Sequence, residues 1–245
     1  MKTRLDVLLV KQNLAESLSE AQALIGAGQV YVDERVADKA GNTYVNEVNI
    51  RIKKRCPYVS RGGFKLLEAL ETFQVDVSRM ICADIGASSG GFTDCLLQKG
   101  AAKVYAVDVA YGQFSWKLRQ DSRVVVIERF NARKISPREV VELLDLAVID
   151  ASFISVTKLL PPLIPLFKKE IRIIALIKPQ FELPKEMVGK GGVVTQTQAH
   201  QQAIDTISSF SSSHGMQTEG VVQSPLLGPK GNKEFLIYLK KKKID

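Results

Sequence analysis

The chain has 245 residues, 45% of them hydrophobic, and a formal net charge of +8. This length allows one α/β domain with a small additional module. No apolar run approaches the roughly 18 residues of a membrane-spanning helix. The first residues show no signal-peptide core, so we expect a cytoplasmic protein. Three cysteines and two histidines lack metal-ligand spacing, so neither a disulfide frame nor a metal site is expected.

The positive charge is concentrated in two segments. Six basic and no acidic residues lie between Arg51 and Lys65, and four lysines run from Lys240 to Lys243. A concentrated basic segment is the electrostatic footprint of a protein that binds a polyanion. For the first segment we favour nucleic acid, whereas the terminal lysines are equally consistent with a solvated face.

Residues 1 to about 60 predict two short helices followed by a small sheet. Leu5, Leu8 and Leu9 open a helical pattern. Ser17 or Ser19 can cap the second helix. Short strands are expected at Val30–Val32, Val36–Ala37 and Val48–Ile52.

This first unit resembles the S4 domain, an RNA-binding module. The matching stretches are Arg4-Leu5-Asp6, Ser19 to Ala23 and Gly28 to Asp33. One departure is Glu20, which stands where S4 domains usually carry arginine. A small protein-binding module is the alternative. The resemblance and the charge together predict an RNA-binding set of Arg4, Arg51, Lys53, Lys54, Arg55 and Arg61.

The remainder alternates between predicted strands and helices, as in a Rossmann-like α/β sheet. We place the domain boundary between 1–59 and 60–245, with a basic linker at about 53–63. A helix should begin at Phe64. The predicted strands are Met80–Ile85, Lys103–Val109, Val124–Glu128, Leu146–Ile149, Ile173–Ile177, Glu219–Gln223 and Glu234–Leu239. The predicted helices are Gly91–Gly100, Pro137–Leu144, Ser152–Phe167 and Thr197–His214.

A glycine turn between the first strand of this sheet and the next helix predicts a ligand site. Its spacing, Asp84-x-Gly86-x-x-x-Gly90, lacks the middle glycine of a dinucleotide site. A carboxylate before the turn would repel a pyrophosphate but attract an α-ammonium. Asp108, at the end of the next strand, is placed to accept from a ribose hydroxyl. These features favour S-adenosylmethionine; for the turn taken alone, a NAD-linked dehydrogenase is the alternative.

The expected cofactor residues combine this turn with two later strand ends. Ser88 either contacts the cofactor or only shapes the turn. Asn131 either faces the adenine or caps the following turn. The full predicted set is Asp84, Gly86, Ala87, Ser88, Gly90, Gly91, Phe92, Asp108 and Asn131.

Four ionisable residues should meet beside this turn. Asp150 and Lys178 each end a parallel strand, so both lie at the carboxyl edge of the sheet. Glu234 begins the last strand and reaches the same edge if that strand is antiparallel. Lys65 begins the helix that leads back to the first strand.

The order Lys65, Asp150, Lys178, Glu234 is similar to the catalytic tetrad of FtsJ-like ribose 2′-O-methyltransferases. The stretches Val59–Leu66, Asp84–Asp94, Asp150–Ser155 and Gly231–Phe235, with the S4-like start, resemble the TlyA family more closely. The resemblance implies a class I methyltransferase sheet of seven strands with the last antiparallel, and 2′-O-methylation of cytidine in ribosomal RNA or ribosomal subunits. A ribose hydroxyl is a poor nucleophile, so we expect Lys178 to act on it, either as the base or as the charge that stabilises the emerging alkoxide. Asp150 is expected to orient that lysine, and Lys65 and Glu234 to complete the network and position the ribose.

Other functions remain as alternatives. The stretch from Asp150 to Phe153 lacks the Pro-Pro pair of enzymes that methylate amino groups, and no cysteine is placed to attack a base carbon. An RNA-binding assembly factor with an inactive methylase is one alternative. A membrane-lytic hemolysin is another, although no long amphipathic or apolar stretch supports it.

Overall fold

The computed structural model describes residues 2–53 and 56–242, and the chain divides into two units, Met1–Pro57 and Tyr58–Asp245. Two predicted RNA-binding residues, Lys54 and Arg55, lie outside the described residues, as does Lys243 at the end of the terminal lysine run.

The first unit contains two helices and five short strands around its own apolar core. It agrees with the expected S4-like arrangement and adds two strands that the sequence did not predict, Lys2–Arg4 and Thr43–Val45. The strands form a three-stranded sheet, β3-β2-β5, and a two-stranded one, β1-β4. The elements are β1 Lys2–Arg4, α1 Leu5–Lys11, α2 Leu18–Gly26, β2 Val30–Val32, β3 Arg35–Val36, β4 Thr43–Val45 and β5 Ile50–Ile52.

Helix α2 starts with a local hydrogen-bond motif that explains Glu20. The Ser17 hydroxyl accepts from the Glu20 N–H, and the Glu20 carboxylate in turn accepts from the Glu16 N–H at 2.7 Å. This is close to a capping box, in which the two side chains satisfy amides that the helix leaves unpaired. Ser17, rather than Ser19, is therefore the cap.

The second unit is a seven-stranded sheet with the order β11-β12-β10-β9-β6-β7-β8. Strand β12 is antiparallel to both of its neighbours, and the pairs from β10 to β8 are parallel. The seven strands and the antiparallel last strand are thus confirmed. The strands are β6 Ile81–Ile85, β7 Lys103–Val107, β8 Val124–Ile127, β9 Leu146–Ile149, β10 Glu170–Ile177, β11 Gln217–Gln223 and β12 Phe235–Lys242. The α-helices are α3 Gly62–Thr72, α4 Gly91–Gln98, α5 Trp116–Arg119, α6 Leu160–Leu163, α7 Pro179–Glu182 and α8 Thr197–Ser213.

Apolar side chains cover both faces of this sheet. Successive strand residues point to opposite faces, so Ala147 and Ile149 join the core that packs α8, while Leu146 and Val148 join the core that packs α3 and α4. A sheet buried on both faces leaves its strand ends as the place where polar side chains reach solvent.

The predicted helix Pro137–Leu144 is wrong. The Ser136 N–H and hydroxyl both donate to the Glu139 carboxylate, which closes a single turn. The chain does not continue as a helix, and a 3₁₀ turn at Ala132–Lys134 precedes this segment. The β-branched Val140 and Val141 that follow disfavour a helix.

The predicted helix Ser152–Phe167 is broken into short pieces. Phe153 has a left-handed backbone conformation, with φ of 63°, and three prolines follow that lack the amide donor a helix needs. The pieces are Val156–Lys158, α6 and Ile164–Leu166. Helix α3 also begins two residues earlier than Phe64, at Gly62.

Candidate active site

The glycine turn joins β6 to α4 and packs directly on the end of β9. Gly86 has φ of 85°, and a Cβ atom there would lie 2.6 Å from the Asp150 carbonyl oxygen. Only glycine allows this approach without displacing the backbone. The turn is thereby held against the strand that carries Asp150.

Asp84 lies beneath the turn rather than in an open cavity. It is fully buried, and its Oδ2 atom accepts from the Thr93 N–H at 2.9 Å and the Thr93 hydroxyl at 2.6 Å. Its Oδ1 atom is buried without a hydrogen-bond partner. Burial raises the pKa of Asp84 to about 7, although the Thr93 hydrogen bonds oppose that shift.

Asp108 ties the glycine turn to the end of β7. One carboxylate oxygen accepts from the Ser88 N–H at 2.7 Å, and the other accepts from the Ala110 N–H at 2.7 Å. Each carboxylate oxygen can accept a second hydrogen bond, so Asp108 can still accept from a ligand. Ser88 has φ of 49° and thus shapes the turn as well.

Two cavities adjoin the turn and share Gly86, Ser88 and Asp150 as lining residues. The first has a volume of about 510 Å³ and is also lined by Ala87, Gly91, Phe92, Ser60, Arg61, Lys65 and the segment 226–230. The second has a volume of about 320 Å³ and is also lined by Asp108, Phe130, Asn131 and the segment 151–154. Gly90 is the N-cap of α4.

Asn131 has both of the properties that the sequence left open. It lines the second cavity with Asp108. Its side-chain oxygen also accepts from the Arg133 N–H at 3.1 Å, which caps the short 3₁₀ turn.

The first ion pair at the sheet edge joins Lys178 to Asp150. The Lys178 Nζ atom lies 2.6 Å from Asp150 Oδ1 and 2.9 Å from the Ser152 hydroxyl. Lys178 is 7% exposed. Ser152 is a partner that strand-end reasoning did not find, because its position depends on the loop after β9.

The second ion pair joins Lys65 to Glu234. The Lys65 Nζ atom lies 2.5 Å from Glu234 Oε2, and the Glu234 side chain is 0% exposed. Strand register places Glu234 near Lys178, because Phe235 is paired with Ile177 across the antiparallel strands. Lys65 and Asp150 line the same cavity, so the two pairs face one space.

The backbone of Gly228 packs directly against the Glu234 carboxylate. A Cβ atom at this position would lie 2.0 Å from Glu234 Oε1, and Oε1 has no hydrogen-bond partner. Any larger side chain would have to displace the carboxylate. The sequence offered no sign of this contact, since Gly228 lies in a loop that joins β11 to β12.

The predicted RNA-binding residues that are described fall in both units. In the first unit Arg4 pairs with buried Asp6 at 2.7 Å, Arg51 lies over the Tyr31 ring at 4.7 Å, and Lys53 is exposed. In the second, Arg61 is exposed and lines the larger cavity. Lys65, the last member of the basic segment, belongs to an ion pair.

These residues fit S-adenosylmethionine. An Asp84 oxygen without a hydrogen-bond partner among the described residues lies under the glycine turn, and Gly86 keeps the turn free of side-chain bulk. Asp108 lines the cavity on one side of the turn, and the two ion pairs border the cavity on the other. The combined space is of the size that small-molecule sites typically have. No group of three metal-ligating side chains and no helix able to cross a bilayer occurs within residues 2–53 and 56–242.

The sheet with its antiparallel β12 and the glycine turn at β6 define a class I methyltransferase domain. The FtsJ-like methyltransferase family matches residues 58–241, and the S4 domain matches residues 3–43. The chain belongs to the FtsJ-like methyltransferases and, with its S4 domain, to the TlyA family. It is an enzyme, and its methyl donor is S-adenosylmethionine.

Three similar proteins cover nearly the whole chain. A candidate rRNA methyltransferase of Bacillus subtilis, YqxC, is 46% identical over 97% of this chain and 85% of its own. The 16S/23S rRNA (cytidine-2′-O)-methyltransferase TlyA of Mycobacterium tuberculosis is 42% identical over 98% of this chain and 90% of its own. The solved structure of a candidate hemolysin from Streptococcus thermophilus has a TM-score of 0.76 and 41% identity, covering 98% of this chain and 89% of that one. The link to hemolysins rests on the names of similar proteins, among them this one and Hemolysin A of Brachyspira hyodysenteriae.

Proposed function

We propose that the chain transfers a methyl group to the 2′-hydroxyl of a cytidine in ribosomal RNA. The observation that carries the proposal is the placement of two ion pairs, Lys178–Asp150 and Lys65–Glu234, around a cavity that adjoins the glycine turn, with Lys178 and Glu234 buried. The printed activity of the Mycobacterium tuberculosis relative supports cytidine in ribosomal RNA as the substrate.

The cofactor would be held by the turn and the adjoining strand ends. The donor supplies an electrophilic methyl group when it is bound. Asp84 Oδ1 would receive the α-ammonium, Asp108 would accept from the ribose hydroxyls, and Asn131 would border the adenine. The backbone of Gly86, Ala87, Ser88, Gly90, Gly91 and Phe92 would shape the turn around the donor.

Lys178 would contact the attacking oxygen. An ammonium has three N–H donors, and Asp150 and Ser152 take two of them. The third can orient the ribose 2′-hydroxyl and stabilise the charge that develops on its oxygen. The ribose O–H bond and the S–CH₃ bond of the donor break and the O–CH₃ bond forms, so the donor would leave as a neutral thioether. Lys178 is already an ammonium here, so the proton passes to the partly exposed Asp150 carboxylate and from there to water.

Lys65 and Glu234 would position the ribose. Lys65 lines the cavity, and Glu234 lies behind it with no exposed surface, so the carboxylate fixes the direction of the ammonium. Holding a hydroxyl in line with the methyl group can contribute a large part of the rate acceleration.

RNA recruitment would depend on both units. We assign residues 1–59 to RNA binding and 60–245 to methyl transfer. Four exposed basic residues are available for phosphate contacts, Arg4, Arg51, Lys53 and Arg61. Lys54 and Arg55 remain part of the same proposal, although they lie outside the described residues.

Transfer of a labelled methyl group tests the proposed activity. Tritiated S-adenosylmethionine is incubated with the enzyme and with unmodified small or large ribosomal subunits, and label in the RNA is counted. We expect transfer to at least one subunit. Cofactor binding without any transfer to subunits or to their naked RNA would instead favour an assembly factor with an inactive methylase.

A further inference from the structure

Two segments at the carboxyl edge of the sheet are fastened to each other at four points. We call them the β9 segment, Asp150–Val156, and the β10 turn, Lys178–Glu182. At one end Lys178 contacts Asp150 at 2.6 Å and Ser152 at 2.9 Å. At the other end Glu182 accepts from the Ser155 hydroxyl at 2.5 Å and from the Val156 N–H at 2.9 Å.

Between these contacts the β9 segment contains a strained backbone conformation. Phe153 has φ of 63°, a region that side chains other than glycine seldom adopt. Phe153 is 90% exposed, and its ring lies against that of Phe181 in the β10 turn, with ring centroids 5.0 Å apart. A strained segment of this kind keeps its shape when the surrounding contacts over-determine it.

We propose that Glu182 is a positioning residue for methyl transfer: by holding Ser155 and Val156, it fixes the β9 segment so that Asp150 and Ser152 meet Lys178. The inference rests on the proposed function, since it concerns the alignment of the same lysine. Both carboxylate oxygens of Glu182 accept from the β9 segment, so Glu182 acts through that segment and not on the substrate.

The chemistry of Glu182 agrees with this role. Both of its oxygens accept hydrogen bonds from the hydroxyl and backbone donors of a single segment. Burial raises the pKa of the Glu182 carboxyl, because desolvation disfavours the charged form. The hydrogen bonds from Ser155 and Val156 oppose that shift. Ser155 also accepts from the Thr157 N–H, which begins the 3₁₀ turn Val156–Lys158. The hydrogen bonds of Glu182 therefore reach the last residues of the segment that starts at Asp150.

Four variants test the proposal with the full-length enzyme and the RNA substrate that the wild type methylates. Glu182→Ala removes both hydrogen bonds. Glu182→Gln keeps the shape and the acceptor for the Val156 N–H, and its amide can donate to the Ser155 hydroxyl oxygen. Ser155→Ala removes one hydrogen bond with little change in volume. Glu186→Ala, at an exposed acid four residues further on, is the matched control.

If Glu182 is a positioning residue, its removal should lower kcat without a matching change in RNA binding or stability. We expect kcat of Glu182→Ala to fall by about tenfold or more, because small misplacements of reacting groups are costly. KM for RNA and the melting temperature should stay close to those of the control. Glu182→Gln should recover most of the rate, and Ser155→Ala should add little further loss in the Glu182→Ala background, since both act through the same hydrogen bond.

Two results would overturn the inference. One is a kcat for Glu182→Ala equal to that of Glu186→Ala. The other is a fall in kcat of Glu182→Ala that comes with equal losses of stability and RNA binding. In that case Glu182→Gln would not restore kcat, and the effects of Glu182→Ala and Ser155→Ala would add fully in the double variant. An inactive wild type would count against the proposed function itself, which keeps the two failures distinct.

Discussion

The Nζ atom of Lys65 lies 2.5 Å from Oε2 of Glu234, although 169 positions separate the two residues in the chain. Helix α3 brings the lysine to the carboxyl edge of the sheet, and the start of antiparallel β12 brings the glutamate. The ion pair therefore exists only once α3 and the start of β12 have come together. This makes it a direct link between the folding of the domain and the proposed chemistry.

Breaking the Lys65–Glu234 pair should destabilise the fold more than replacing it. Lys65→Met leaves the fully buried Glu234 carboxylate without its counter-ion, and we expect a loss of about 3 kcal/mol in the free energy of unfolding. Lys65→Met combined with Glu234→Leu should recover much of this loss. Urea denaturation monitored by circular dichroism measures both. If the loss in the free energy of unfolding of the double variant equalled the sum of the losses in Lys65→Met and Glu234→Leu, the pair would not be coupled as described.

Lys178→Ala should reduce kcat by about 100-fold or more, because it removes the group that contacts the attacking oxygen. Binding of S-adenosylmethionine should change little, since Lys178 does not line either cavity at the turn. Methyl-transfer kinetics and calorimetric titration give the two values. Lys169→Ala, at an exposed lysine before the apolar part of β10, is the control. Activity in Lys178→Ala equal to that control would remove the lysine from the mechanism.

Asp84 should make the stability of the cofactor-free enzyme depend on pH. Its pKa is raised from 3.8 to about 7 by burial, so between these values the unfolded chain releases a proton that the folded chain retains. Stability from this group is therefore lost as pH rises from about 4 to 7. Asp84→Asn should be less sensitive to pH in this window than the wild type, as measured by denaturation at pH 5 and pH 8. Asp205→Asn, at an exposed acid on α8, should behave as the wild type. An unchanged pH dependence in Asp84→Asn would contradict the burial effect.

The first unit should contribute salt-sensitive RNA binding. Replacing Arg51 and Lys53 by alanine should lower the slope of log affinity against log salt concentration by about 2, one for each phosphate that is no longer neutralised. Lys11→Ala, at the end of α1, is the control. Fluorescence anisotropy with a fragment of ribosomal RNA over a range of potassium chloride gives the slope. An unchanged slope would exclude both residues from binding to phosphates.

Strand ends could be located from the sequence, and loop contacts could not. The sequence predicts that Lys178 and Asp150 share an edge because parallel strands end together, and they lie 2.6 Å apart. Three further residues contact this site through loops whose path the sequence does not show: Ser152, Glu182 and Gly228. No periodic pattern records such contacts, so propensity and spacing alone did not reveal them.

The errors have a similar physical origin. Val140, Leu143 and Leu144 follow a helical spacing, yet the Ser136–Glu139 hydrogen bonds close a turn instead. Asp84 stays a predicted partner of the α-ammonium. The sequence did not show that Thr93 would occupy one of its oxygens or that the whole side chain would be buried. The roles of these site residues stay predictions until they are measured.

The central claim is that methyl transfer ends on a ribose oxygen. RNA from ribosomal subunits treated with enzyme and S-adenosylmethionine is digested to nucleosides and separated by liquid chromatography with mass spectrometry. A methyl group on the sugar gives a fragment ion of the unmodified base, whereas a methylated base carries the added mass itself. We predict 2′-O-methylcytidine, formed by the wild type and not by Lys178→Ala. A methylated base would contradict the account.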